Sequence, residues 1–378
     1  MARWIARTRL ARFRGELPAN VANRSQKWSV RDAVIVALDD GAHVGLGEAS
    51  PLPGFSTDTV EACERALRDV HLTLGPAPDA GSIEHAVRSM VRPVEERLRA
   101  VPAARFALET ALWSYVKLST TDGSTSAERR LEVSNRSALR SVLLGGGNVD
   151  PESWAELARD RVERSQIAGG NLGGFKVKAG RADLSFEREL AGVRALRAVL
   201  PSEFELRVDC NGAWSLDQAK ANVPRLADAG ANVVEEPCSG SALLALGAQP
   251  IPWLADESLV DPAFSKAVLD APGCGGLVLK PMLLGGLIVC LDLMRAASSR
   301  GMRYALSHVF DGPIALKAMN DLAALAPDLL LPSALGWHEG LDAWPKRPRR
   351  SAPDLLGSAP PWLFYAISPA EWGLSVDA

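Results

Sequence analysis

From Arg140 onward the chain repeats one pattern: a short apolar, β-branched run that ends in a charged or polar residue, then a longer amphipathic stretch. No other feature narrows the fold as far. Such runs read as strands buried on both faces, and their alternation with helical stretches calls for parallel strands joined by crossover helices. Strands are expected at 141–144, 174–178, 205–209, 232–235, 253–255, 276–280 and 303–307. Helices are expected at 154–166, 186–199, 216–229 and 287–299. Seven or eight such units in roughly 190 residues fit a closed β/α barrel better than an open sheet.

The strand ends carry charge in a definite order. Lys176 and Lys178 close one strand, Asp209 the next, then Glu235, Asp256 and Lys280. In a β/α barrel the carboxyl ends of the strands form the site-bearing face. Asp209, Glu235 and Asp256 lie about one strand–helix unit apart, which sets three carboxylates side by side at that mouth. Any one of them alone would read as a surface ion-pair partner. Three at equivalent strand ends repel one another and imply a cation. An all-oxygen set without His or Cys selects a hard ion, Mg²⁺ first and Mn²⁺ as the alternative. Lys176 and Lys178, two apart on one strand, face the same way. A lysine pair near a divalent cation is expected to have a lowered pKa on at least one member, as a general base near neutral pH requires. Lys280 ends a strand on the far side of the ion. A metal flanked by two amines suits abstraction of a proton next to a carboxylate.

Before the barrel, residues 1 to about 48 read as a β-meander, with a strand at 33–38, a turn at Asp39-Asp40-Gly41 and a return strand at 44–46. The alternation of Trp4, Thr8 and Leu10 with Arg3, Arg7 and Arg9 favours an exposed first strand over an Arg-rich transit peptide. Loops follow at 15–28 and 47–57, both expected to cap the barrel and exclude water. Ser56 or Thr57 is expected to cap a helix over 59–74, with further helices at 82–100 and 103–117. The polar stretch Thr120 to Glu132 reads as a linker, and the tail after Leu335 as a return over the first domain, its basic run at 346–350 a solvated surface. Glycine-rich stretches at 145–147 and 169–174 do not form a dinucleotide fingerprint, because the second precedes a strand.

The 42 basic against 45 acidic residues give a net charge of −3, which provides no reason to expect nucleic acid or a membrane surface as partner. No apolar run approaches the roughly 20 residues that a membrane span needs. Five dispersed cysteines without a Cys-x-x-Cys pair suggest reduced thiols and a cytoplasmic setting. The triplets at Asn23 and Asn135 are read as chance matches to the glycosylation signal.

The set Lys176-x-Lys178, Asp209-x-Asn211, Glu235-Glu-Pro, Asp256-Glu-Ser and Lys280-Pro resembles the muconate-lactonizing-enzyme subgroup of the enolase superfamily. The stretch Gly45-Leu-Gly-Glu-Ala-Ser-Pro-Leu-Pro-Gly-Phe-Ser, with Arg207 to Trp214 and Glu235 to Cys238, looks like the o-succinylbenzoate synthase family. The resemblance covers roughly Trp28 to Leu335. It implies an α/β fold: a modified (β/α)7β TIM-like barrel at 126–335, with an α+β capping domain at 1–125 completed by the C-terminal tail, 336–378. It implies a carbon–oxygen lyase on a small carboxylate substrate, with room for a homo-oligomer. Lys178 would take the α-proton and return a proton to the departing hydroxyl in a syn dehydration. Lys176 would keep Lys178 poised. Asp209, Glu235 and Asp256 would bind Mg²⁺, Asn211 would lie beside it, and Lys280 would sit over the ring face of the intermediate. Glu236 and Glu257 should point elsewhere. Arg207 would support the site or form a simple salt bridge, and Phe55 would touch substrate or only pack.

Family members often carry Ser-Ser-x-x-Glu-Ser after the seventh strand. This chain has Ser307-His308-Val309-Phe310-Asp311-Gly312. The helix start there could hold a substrate carboxylate on backbone amides, including that of Gly312, with Ser307 and His308 nearby. A hydrogen-bonded structural role is the default for His308. Two other readings share the constellation: a racemase or epimerase of N-acylamino acids or dipeptides, using Lys178 and Lys280 as opposed bases, and a non-catalytic barrel. The absence of an acid in Leu331 to Trp337 argues against a dipeptide epimerase, which usually grips an ammonium there. The intact catalytic positions argue against the inert barrel.

Overall fold

The computed structural model describes residues 4–344 except 6, 18–20, 22–26, 41–42, 69, 71–72, 75–82, 121–138, 145–148, 168–171, 326–329 and 337. The linker, the tail beyond Trp344, both glycosylation triplets and most of the 15–28 loop therefore fall outside the described residues.

The amino-terminal unit begins with a two-residue ribbon, β1 (Trp4–Ile5) against β5 (Thr73–Leu74). Its main sheet is antiparallel, in the order β2 (Arg7–Glu16), β3 (Val30–Asp39), β4 (Val44–Ala49). Ala33 to Leu38 on the central strand are all fully buried, and a helix packs against the sheet. That helix, Pro102–Thr120, lies directly on β4. The close approach depends on Gly47, where a Cβ would overlap the Ala107 carbonyl.

Three expectations for this unit need correction. The return strand runs on to Ala49, so Gly47 and Glu48 belong to the sheet and not to a loop. The first helix is Val60–Arg68 and stops before Thr73–Leu74, which pair as a strand. Its cap is Thr59, whose hydroxyl accepts from the Ala62 amide at 3.2 Å, while the Ser56 hydroxyl is taken by the Leu52 amide at 2.8 Å. The stretch expected as one helix at 82–100 breaks at Pro93 into Ile83–Val91, a 3₁₀ turn and Glu95–Leu98.

The second unit is the parallel barrel. Its strands follow the chain in order: β6 (Arg140–Leu143), β7 (Leu172–Lys178), β8 (Glu205–Asp209), β9 (Val233–Glu235), β10 (Trp253–Ala255), β11 (Cys274–Leu279) and β12 (Arg303–Leu306). An eighth segment closes the ring. Leu330 bridges Tyr304 of β12 and Ser333 bridges Arg140 of β6, with Leu331 N donating to Tyr304 O at 2.7 Å and Ser141 N to Ser333 O at 3.1 Å. Val233, Leu254, Val278, Ala305 and Leu331 form one buried layer inside the ring. Each is two residues before Glu235, Asp256, Lys280, Ser307 or Ser333. Strand side chains alternate, so these five residues form the next layer up, at the mouth.

The two units are joined by charge as well as by apolar packing. Glu109, fully buried on the Pro102–Thr120 helix, accepts from the Ile288 amide at 2.9 Å and so caps the barrel helix Leu287–Ser298 from across the boundary.

Candidate active site

Asp209, Glu235 and Asp256 are buried at the carboxyl ends of β8, β9 and β10, with one carboxylate oxygen from each lying within 4.8 Å of the others. The lysines flank them. Lys176 Nζ is 2.8 Å from Asp209 Oδ2 and 2.9 Å from Glu235 Oε1. Lys178 Nζ lies 2.5 Å from Asp209 Oδ2 and 2.6 Å from Asn211 Oδ1. On the other side, Lys280 Nζ is 2.6 Å from Asp256 Oδ2 and 3.0 Å from Glu257 Oε1. The three acid-bearing strands stand between β7 and β11 in the sheet order, so Lys178 and Lys280 approach the trio from opposite sides.

Burial favours the neutral amine at Lys176 and Lys280, but the surrounding carboxylates outweigh it and hold both above the ordinary lysine range. The trio itself is split. Burial and the Glu257 charge push the Asp256 carboxyl up, whereas at Glu235 burial is overcome by Lys176 and Arg207, which hold it low. Asp256 Oδ1 is buried with no hydrogen-bond partner among the described residues. A clustered, all-oxygen donor set with an orphaned buried oxygen fits a hard divalent cation such as Mg²⁺ or Mn²⁺.

The other sequence-named residues are arranged around the trio. Arg207 lies within the barrel beneath the trio: its guanidinium reaches Glu205 at 2.6 Å, Glu235 at 3.3 Å and the Pro332 carbonyl at 3.1 Å. Buried there, it braces Glu235 from below the mouth. Asn211, at a left-handed backbone (φ 45°), accepts from Lys178 and donates to Glu257 at 3.0 Å. Glu236 does point away: it accepts from the Asp256 amide at 2.7 Å and the Ser258 amide at 3.1 Å. Burial pushes its carboxyl up to about 7. Glu257 does not point away. Asp256 leaves the strand conformation (φ −131°, ψ −95°), the alternation lapses, and Glu257 swings back to meet Lys280.

The helix start after β12 is already occupied. Glu48, fully buried on β4, accepts from the Gly312 amide at 2.6 Å and the Ala315 amide at 3.2 Å. Those amides cannot also hold a substrate carboxylate, and Gly312 drops out as a substrate contact. Ser307 sits in the mouth layer at the end of β12. His308 Nδ1 accepts from the Phe310 amide at 3.1 Å, which leaves Nε2 as the protonated nitrogen. Its ring stacks on His338 with centroids 3.8 Å apart. Burial, with Lys176 and Lys280 nearby, holds His308 down at about 3, so it is a neutral donor. The Phe55 ring covers Lys280, its centroid 5.4 Å from Nζ. Sequence reasoning missed Glu48 and Arg31 and misdirected Glu257; a lone charged residue inside an apolar strand was the available signal for Glu48.

This fold with this site defines an enolase-type enzyme. Residues 153–354 match the family described as enolase C-terminal domain-like, and residues 5–76 match the MenC N-terminal domain. The chain is 30% identical to o-succinylbenzoate synthase of Thermosynechococcus vestitus, over 87% of this chain and 88% of that one. It is 28% identical to the enzyme of the same name from Desulfotalea psychrophila, over 80% and 85%. The crystal structure of MenC from Desulfotalea psychrophila superposes with a TM-score of 0.70 at 22% identity, covering 93% and 98%. The chain belongs to the enolase superfamily and, within it, to the o-succinylbenzoate synthase family. No helix among the described residues is long and apolar enough to cross a membrane.

Proposed function

We propose that this enzyme carries out the Mg²⁺-dependent syn dehydration of 2-succinyl-6-hydroxy-2,4-cyclohexadiene-1-carboxylate to o-succinylbenzoate, a step of menaquinone biosynthesis. The observation that carries the reading is the carboxylate trio held between Lys178 and Lys280. The names of the relatives select the substrate.

Asp209, Glu235 and Asp256 would hold the cation. When bound, it supplies the positive charge against which negative charge developing on the substrate carboxylate is stabilised. Lys178 abstracts the α-proton and afterwards delivers a proton to the leaving hydroxyl on the same face. Asn211 fixes the direction of the Lys178 amine. Lys176 adds positive charge close to the carboxylate and keeps Asp209 and Glu235 in place. Lys280 stands over the opposite face as a cation against delocalised negative charge, and Phe55 closes that side to water. The opposed lysines also support a second reading, racemisation of N-acylamino acids, in which Lys280 reprotonates the other face.

Purified enzyme assayed with the cyclohexadiene substrate should form o-succinylbenzoate, lose activity in EDTA and regain it with excess Mg²⁺. Racemisation of N-succinyl amino acids with no dehydration would replace the first reading by the second.

A further inference from the structure

Arg31 has no part in the chemistry above, yet its environment is unusual. It lies on β3, near the boundary between the two units, and is fully buried. Its fork spends every arm on two loops from opposite ends of the chain. Nη1 donates to Pro51 O at 3.0 Å and Nη2 to Ser50 O, both in the loop that carries Phe55. Nε donates to Phe310 O at 2.9 Å and Nη2 to Val309 O at 3.0 Å, both in the loop that carries His308. Asp311 Oδ1, 3.4 Å away, supplies a countercharge, and Asp311 too is fully buried.

These loops are two walls of the barrel mouth. One places Phe55 over Lys280; the other places His308 among the lysine charges. Further contacts run in parallel. Trp28 Nε1 donates to Pro53 O at 2.9 Å, and the Trp28 ring packs on Phe310 at 6.0 Å between centroids. Phe310 has a positive φ of 57°, a conformation a bulky residue keeps only when its surroundings over-determine it. The two carbonyls that Arg31 holds in this loop belong to Phe310 and the residue before it. A lysine could satisfy one or two of these acceptors, but only a planar fork with five N–H groups reaches both loops at once.

We propose that Arg31 is a positioning residue that fastens the Phe55 loop to the His308 loop, so that both walls of the substrate pocket hold or open as one body. The inference rests on the pocket placed at the barrel mouth above, and it extends that reading to a residue that never touches substrate.

Hydrogen exchange by mass spectrometry tests it without turnover, on wild type, Arg31→Met and Arg31→Lys. Loss of the fork should speed exchange in peptides covering both 50–57 and 307–313 by about tenfold or more, while the barrel strands at 205–209 and 233–235 stay protected. Arg31→Lys keeps a charge for Asp311, so it should restore much of the thermal stability and leave both loops fast; if the Met variant does not fold, this one carries the test. With substrate, KM should rise more than kcat falls, and the Mg²⁺ half-saturation should stay put. The proposal is overturned if only one loop responds, if the Lys variant exchanges like wild type, or if exchange rises across the whole barrel. Because exchange needs no substrate, failure of the dehydration assay and failure of this test are separate results.

Discussion

Replacing Lys178 by alanine separates the chemistry of the site from its architecture. Lys178 Nζ is one of two amines on Asp209 Oδ2; the other, Lys176 at 2.8 Å, remains in the variant. Asp209 thus keeps a countercharge and its place in the trio. The other partner lost is Asn211 Oδ1, on a half-buried residue, so the structural cost is about 1 kcal/mol, the net value of one hydrogen bond. The catalytic cost is far larger. A positioned general base contributes about 10²- to 10⁴-fold, or about 3–5 kcal/mol of barrel-mouth activation free energy. Lys178→Ala should therefore lower kcat by at least about a hundredfold, with Tm changed by only a few degrees and Mg²⁺ affinity, read by isothermal titration calorimetry, nearly unchanged. Lys178→Arg should be equally slow, since a guanidinium stays protonated. A kcat within tenfold of wild type would refute the assignment of the base, and loss of Mg²⁺ binding would mean that Lys178 holds the metal site together.

Phe55→Ala removes the ring over Lys280 and opens that face to water. It should lower kcat/KM by about three- to tenfold, the scale of a partly exposed cation–π contact, with no change in Tm; an unchanged kcat/KM would show that the ring only packs in its loop. Asp311 gives a pH prediction. Burial outweighs the pull of Arg31 and pushes its carboxyl up to about 7. The folded state then binds a proton that the unfolded chain has released, from the ordinary carboxylate range up to pH 7, so stability is lost as pH rises through that window, by at most about 4 kcal/mol. Tm measured at pH 5 and pH 8 should fall less in Asp311→Asn than in wild type, and an equal fall in both would place the carboxyl in its normal range.

Much of the site was legible because a strand alternates its side chains. Once 174–178, 205–209 and 232–235 read as buried parallel strands, residues two apart had to share a face. Lys176 with Lys178, and Arg207 with Asp209, followed from spacing alone. The same local rule placed Glu235, Asp256 and Lys280 at successive strand ends and separated Glu236 from Glu235. It failed where the backbone left the strand. Asp256 turns out of β conformation, and Glu257, expected to face away, returns to Lys280. Other features had no local rule to follow. The helix start at Gly312 looked free for a substrate carboxylate, but its amides are taken by Glu48, 264 residues earlier. Phe55 reaches Lys280, and Arg31 reaches Val309 and Phe310, only because the cap sheet lies against the barrel. Periodicity encodes which way a side chain faces, since neighbours along one element determine that. Which buried charge answers which across two units is set by packing, and a single chain's spacing carries no trace of it.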